Sequence, residues 1–316
     1  MLGLSVVVLL APLATSTAQS PGVGQQLDDD AALLQRAPRI VNGEAVPAGA
    51  LPFLVALRLR AGSPGSEGQS EQFCGGALIG PRHVLTAGHC GFVWAPSMAV
   101  SVMGLAPKAD SNYSCWDAYP QINVSAWTPH PNFTDNMGIM LNDVAVVTLT
   151  TSVEGVQFAQ IPREDVKVGS SVFVAGWGLN GSEHSKFSVG PRCARYVEME
   201  VDSYEQCSDK MLPTKTNLTN EPQPGMNVCT KSPAKGKEAS ACVGDSGGPL
   251  FVPQRGGDIA DPKTVFAHVG IVSWGSTTCD GEQFDDVFTS TFHMREWICS
   301  VCDGCCHPER AAVTTE

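Results

Sequence analysis

From Ile40 onward the apolar residues of this chain fall in short runs separated by polar and turn-forming residues. Residues 54–60 read Leu-Val-Ala-Leu-Arg-Leu-Arg and residues 73–79 read Phe-Cys-Gly-Gly-Ala-Leu-Ile. Both have strand length, and the Gly/Ser-rich stretch at 61–70 predicts a loop between them. Similar runs predict strands at 84–86, 143–149, 171–177, 197–201, 248–252 and 265–274, and only 292–301 reads as a helix. The 32 glycines and 22 prolines supply the turns that such a chain needs. No segment repeats at a short fixed period. The spacing predicts an all-β protein of two antiparallel barrels, with a seam near 152–168 and a helix at the C-terminal end.

The first 39 residues have a different texture. Residues 1–18 are an apolar run closing on small residues, which predicts a secretory signal peptide cut near Ala18, although no basic residue opens it. Residues 19–39 are polar and acidic, carry Asp28, Asp29 and Asp30, and end in Ala37-Pro38-Arg39; they read as a flexible pro-segment. No later run reaches the roughly 20 apolar residues that cross a bilayer. Twelve cysteines fit an oxidising compartment. So do the glycosylation sequons at Asn112, Asn123, Asn132, Asn180 and Asn217. A net charge of −12 argues against nucleic acid and anionic membranes as partners and leaves the substrate open.

Hydrolysis of an amide by serine needs a hydroxyl, a base that is oriented and charge-compensated, and backbone donors for the developing oxyanion. The string Gly244-Asp245-Ser246-Gly247-Gly248-Pro249 supplies the first and the last. Its glycines let the backbone turn sharply around Ser246 and clear space beside the Gly244 and Ser246 amides. Upstream stand Cys74-Gly75-Gly76-Ala77-Leu78-Ile79, Thr86-Ala87-Gly88-His89-Cys90, Asn142-Asp143-Val144-Ala145-Val146, Gly176-Trp177-Gly178 and, after the serine, Ser273-Trp274-Gly275.

Together these strings resemble the chymotrypsin-like serine protease family over about residues 39–300, in the family's chain order of His, Asp and Ser. The resemblance implies two six-stranded antiparallel barrels packed face to face. It also implies a peptidase domain over 40–300, followed by a Cys-rich tail at 301–316, and no cofactor. It makes Ser246 the nucleophile, His89 the general base, Asp143 its orienting partner, and the Gly244 and Ser246 amides the oxyanion hole. Gly88 departs from the alanine usual before the histidine; loss of one methyl in a turn is compatible with activity. Arg39-Ile40-Val41-Asn42-Gly43 resembles the family's activation junction. Cleavage after Arg39 by a trypsin-like protease would free the Ile40 amine to pair with Asp245, which as a buried carboxylate needs a cation.

Specificity is divided. The resemblance places Ser240 at the base of the primary pocket and Ser273, Trp274 and Gly275 along its wall, which implies a chymotrypsin-like preference for Phe, Tyr, Leu or Met. Asp285-Asp286 replaces the usual Pro-Gly before Val287-Phe288, which places Asp286 on the pocket wall. Crab collagenases (brachyurins) resemble this and accept basic and apolar residues alike. A carboxylate there would attract Lys or Arg. The opposing reading shifts the loop by one residue and turns both aspartates to solvent. The family pattern implies disulfides Cys74–Cys90, Cys207–Cys229 and Cys242–Cys279. Cys115, Cys193, Cys299, Cys302, Cys305 and Cys306 stay unassigned, and the tail's spacing admits zinc in a reducing compartment or disulfides in an oxidising one. The family's calcium loop needs several carboxylates; only Asp110 and Asp117 fall between residues 100 and 120, so no metal is expected. Expected partners are protein or peptide substrates, the activating protease and protein inhibitors. No clip-like or other accessory domain is read before Ile40, which leans toward a digestive or effector role rather than a cascade. A non-enzymatic binding protein on this scaffold is the rival reading, although such proteins usually lose a triad residue and none is lost here.

Overall fold

The computed structural model describes residues 40–60, 62–63, 72–92, 95–108, 115–136, 139–178, 193–211, 222–233, 238–275, 279 and 285–306. Outside them lie the signal peptide and pro-segment expected at 1–39, with Arg39, the sequons at Asn112, Asn180 and Asn217, Asp110, and the tail after Cys306.

The first barrel is closed, in the order β2-β3-β4-β9-β6-β5. Its strands are β2 (Leu54–Leu59), β3 (Gln72–Gly80), β4 (His83–Thr86), β5 (Met98–Val102), β6 (Ile122–Pro129) and β9 (Ala145–Leu149). A small hairpin, β7 (Thr134–Asn136) with β8 (Ile139–Leu141), stands outside it. The second sheet runs β11-β10-β13-β14-β15-β12 and closes through β11–β12. It comprises β10 (Ser171–Gly176), β11 (Arg195–Asp202), β12 (Asn227–Lys231), β13 (Pro249–Pro253), β14 (Phe266–Trp274) and β15 (Asp286–Ser290). The short β1 (Glu44–Ala45) pairs with the start of β11. Both barrels thus have six antiparallel strands, as the sequence patterning and the family resemblance predict.

Strand closure buries β2 and β5 almost completely, because one face fills the barrel and the other is covered. The seam is sealed by rings. Phe53, just ahead of β2, packs on Phe251 of β13 and Phe266 of β14 at centroid distances of 5.6 and 5.3 Å, and the latter two lie 5.5 Å apart. Such edge-to-face contacts add to the burial of three fully enclosed rings. The connection between barrels is pinned by Ala159 N to Leu78 O (2.9 Å) on one side and Gln160 N to Phe266 O (2.8 Å) on the other.

Two helices are described: α1 (Tyr204–Met211) and α2 (Arg295–Val301). The second begins three residues later than its apolar pattern starts, and residues 292–294 form turns before it. Helix α1 and strands β5, β6, β12 and β15 have no counterpart in the sequence reading. Their apolar runs are short, and their burial comes from neighbours distant in the chain.

All twelve cysteines are paired. Cys74–Cys90, Cys207–Cys229 and Cys242–Cys279 are the three pairs implied by the resemblance. The remainder pair as Cys115–Cys193, Cys299–Cys306 and Cys302–Cys305, so the tail takes the disulfide alternative. Among the described residues no helix is long and apolar enough to cross a membrane. Of the sequons, Asn123 on β6 and Asn132 in the turn before β7 are exposed.

Candidate active site

His89 stands in a 3₁₀ turn, Gly88–Phe92, that follows β4 directly, and the Cys74–Cys90 disulfide ties this turn to β3. Asp143 lies two residues ahead of β9. Thr86 of β4 pairs with Ala145 of β9, so the histidine turn and the aspartate leave the first barrel side by side. Asp143 is 1% exposed and every acceptor it has is engaged. Its Oδ1 accepts the His89 amide at 2.8 Å; its Oδ2 lies 2.8 Å from His89 Nδ1 and accepts the Ser273 hydroxyl at 2.6 Å. Its carbonyl accepts the Thr289 hydroxyl at 3.0 Å. The second barrel, through Ser273 on β14 and Thr289 on β15, therefore grips an aspartate supplied by the first. A carboxylate at Nδ1 fixes the ring proton there and leaves the Nε2 lone pair as the proton acceptor.

Ser246 sits half-buried in a tight turn ahead of β13. The turn is closed by Asp245 N to Cys242 O (2.9 Å) and Gly248 N to Asp245 O (2.8 Å). Gly75 N of β3 donates to the Ser246 carbonyl at 2.7 Å. Gly247 has φ of 76°, and a methyl there would lie 2.8 Å from the Gly75 carbonyl and 3.0 Å from the Ala87 amide. The serine turn is thus pressed against the residues that lead into His89, which brings Ser246 and His89 to one seam. Gly244 has φ of 97°, and its carbonyl is turned back to accept from Gln72 Nε2 at 2.8 Å. Among the described residues, the Gly244 and Ser246 amides donate to no protein acceptor. They are two neighbouring donors free for an oxyanion.

Asp245 is wholly buried. Its carboxylate accepts the Gly178 amide at 2.7 Å and the Cys242 amide at 2.9 Å. A methyl at Gly176 or Gly178 would overlap it, which explains both glycines around Trp177. With only these neutral donors, burial pushes its pKa up to about 7 against the lowering effect of the two amides.

A family model described as Trypsin matches residues 40–298. The chain belongs to the trypsin family. Phenoloxidase-activating factor 3 of Holotrichia diomphalia is 29% identical over 276 residues, spanning 82% of this chain and 71% of that protein. Trypsin beta of Drosophila erecta is 28% identical over 264 residues, or 82% and 87% of the two chains. The proclotting enzyme of Tachypleus tridentatus is 30% identical over 273 residues, or 82% and 65%. As a member of the trypsin family, the protein is a serine endopeptidase, a hydrolase acting on protein substrates.

In this trypsin-family member the residues assigned to the primary pocket converge. Ser240 is buried, and its Oγ lies 2.9 Å from Asp286 Oδ1. The Ala241 amide donates to Asp286 Oδ2 at 2.7 Å. A methyl on Gly275 would stand 3.0 Å from Asp286 Oδ1, so the glycine leaves room for this carboxylate. The Cys242–Cys279 disulfide joins the two walls, and Trp274 stands half-buried beside them. Burial raises Asp286 to about 7; the Ala241 and Ser240 bonds oppose the rise, and the charges of Asp245 and Asp285 add to it. The reading that turns both aspartates to solvent is overturned: Asp285 is 1% and Asp286 5% exposed. Asp286 opens β15 and turns to Ser240 and Ala241, whereas Asp285, just ahead of the strand, turns to Lys210.

Gln72, Thr289, Gly176 and Gly178 escape sequence reasoning as functional supports, since nothing local marks a residue that acts across 67 to 172 positions. Gly88 escapes for a different reason. A methyl there would lie 2.8 Å from the Phe133 ring, so the space left by the missing alanine side chain is occupied. Gly88→Ala is expected to destabilise the protein by about 1–3 kcal/mol, as overpacking does, and to lower activity by tilting the His89 turn. Thermal unfolding of Gly88→Ala, Phe133→Leu and the double variant checks this: the second change should relieve the first. Additive losses would show that the two sites do not share the space.

Proposed function

We propose that this protein is made as a secreted precursor and becomes an active endopeptidase when cleavage after Arg39 frees the Ile40 amine. In this reading Ser246 Oγ attacks the carbonyl carbon of the scissile bond while His89 Nε2 takes its proton. The tetrahedral oxyanion is received by the Gly244 and Ser246 amides. His89 then gives the proton to the leaving amine as the C–N bond breaks, and water repeats the sequence on the acyl-serine. Asp143 holds the ring and offsets the imidazolium charge. The observation that carries the reading is the fully engaged Asp143, bonded at once to the His89 amide and ring, to Ser273 and to Thr289. A residue of the activation segment already braces the pocket: Val41 N donates to the Ser240 carbonyl at 3.2 Å. Freeing Ile40 would add a cation near the buried carboxylate of Asp245, which otherwise has only amides.

The pocket supports broad specificity, with apolar side chains and Lys or Arg both accepted. In this reading Asp286 stands on the pocket wall and attracts a basic side chain, although it already accepts from Ser240 and Ala241. An oxidising, extracellular setting agrees with twelve paired cysteines.

The test is labelling by a serine-directed fluorophosphonate. Incorporation should approach one label per chain after cleavage at Arg39, with little before it. A cleaved protein that takes no label at Ser246 would favour the non-enzymatic alternative.

A further inference from the structure

Asp285 and Asp286 are adjacent, buried and turned to opposite sides of the strand entry. Asp286 faces Ser240 and Ala241. Asp285 instead meets Lys210 of α1, whose Nζ also lies 2.9 Å from Asp202 Oδ2 at the end of β11. Asp202 Oδ1 accepts the Ser203 amide at 2.9 Å and lies 3.1 Å from Lys231 Nζ, which reaches Glu200 at 3.3 Å. The side chains of Asp202 and Asp285 are 1% exposed, and those of the two lysines 31%. Two partly solvated ammonium groups therefore cap two enclosed carboxylates.

This network is fastened to the pocket. Cys207 of α1 is bonded to Cys229 of β12. Cys229 pairs with Val287 and Thr230 with Asp286 across β12 and β15. Cys207, Cys229 and Val287 form one buried cluster with Trp274, the residue of the pocket wall. Helix α1 is consequently fixed against the strand that begins at Asp286. Asp285, which also faces the Asp202 carboxylate, needs a facing cation to stay enclosed as an anion. If it swings out to water, the backbone of the next residue turns with it.

We propose that Lys210, acting through Asp285, is a positioning residue that holds Asp286 in the primary pocket and so sets how well basic side chains are accepted. The proposal rests on the pocket reading given under the proposed function. Asp285 does not touch substrate; it anchors the strand entry from behind. Lys210 supplies the charge that keeps the anchor buried, and Asp202 with Lys231 holds Lys210 in line.

The test uses the full chain after cleavage at Arg39, with paired peptides that differ only in carrying Arg or Leu before the scissile bond. The readout is the ratio of kcat/KM for Arg to that for Leu. Asp285→Ala removes the anchor and leaves Lys210 paired with Asp202, and the lysine, 31% exposed, can pass its surplus charge to water. Loss of positioning should lower the ratio about fivefold or more, chiefly through KM for the Arg peptide. Mere removal of a neighbouring negative charge would favour ionised Asp286 and raise the ratio, so the direction separates the two effects. Lys210→Met should lower the ratio as Asp285→Ala does, and Lys210→Arg, which keeps the charge, should hold it within about twofold of the parent. A ratio that rises or stays level in Asp285→Ala overturns the proposal. Asp286→Asn guards the premise: it should lower the ratio about tenfold, and an unchanged ratio there would refute the pocket reading itself.

Discussion

Ser246→Ala is expected to lower kcat of the cleaved enzyme about 10⁵–10⁶-fold, and His89→Ala by a similar factor. The double variant should be no worse than either single one. The hydroxyl without its base is a weak nucleophile, and the base without the hydroxyl has no proton to take, so the first loss already removes the whole unit. What survives should be the residual acceleration of bound substrate facing the Gly244 and Ser246 amides, about 10³–10⁴-fold over water. Asp143→Asn should cost about 10⁴-fold, because the amide would face His89 with a donor and favour the wrong ring tautomer. Ser273 would still bond the side chain and Thr289 the backbone carbonyl of residue 143, so this loss should come without unfolding. Residual kcat and thermal unfolding of the same four proteins measure both. Losses that multiply in the double variant would show that Ser246 and His89 do not act together.

Asp245→Asn should divide the cut and uncut forms. In the cleaved enzyme, loss of the carboxylate would strand the Ile40 ammonium in a buried site at a cost of about 3–5 kcal/mol, which corresponds to roughly 10²–10³-fold in kcat/KM if the ordered pocket is lost with it. In the uncut chain the same change should remove a liability. There the Asp245 pKa is raised to about 7 by burial, whereas an unfolded aspartate titrates near 4 (about 3.9). A group of this kind binds its proton more tightly when folded. Its contribution is fully present below the unfolded value and is lost as pH rises through the folded one. Between pH 4 and 7 the uncut chain should therefore lose about 1.4 kcal/mol of stability per pH unit through Asp245 alone, and Asp245→Asn should lack that slope. Asp286 acts in the same direction, and the buried His268, lowered to about 3, acts in the opposite one. Both are present in parent and variant, and the Asp245 charge itself raises Asp286, so the difference between two pH series of denaturant unfolding reports Asp245 together with its coupling to Asp286. Identical slopes would refute the assignment.

The features legible in sequence were those specified by contiguous residues. A serine between glycines needs a sharp turn wherever it occurs, and the structure provides it with φ of 76° at Gly247 and 97° at Gly244. Runs such as 54–60 and 171–176 carry enough apolar surface to become strands in any all-β setting, and both did. Local reasoning read the missing methyl at Gly88 as compatible with activity but did not show what occupies its space. Phe133, which fills that space, lies 45 residues away and enters it through the loop before β7. It also left six cysteines unpaired, since spacing does not say that Cys115 and Cys193, 78 residues apart, come together.

The sequence by itself determined the two-barrel architecture, the identity and order of the residues that meet at the seam, and the presence of two adjacent carboxylates beside the pocket. The architecture rests on hydrophobic periodicity and the residues on contiguous motifs that resemble the family's, and neither needs a distant partner. The tertiary structure decided that neither carboxylate turns to solvent and that Asp286 faces Ser240 while Asp285 faces Lys210. Side chains alternate along a strand, so one step of register exchanges Asp285 for Asp286. That register is fixed by pairing with β12 and by the lysine of α1, groups that become neighbours only in the folded chain.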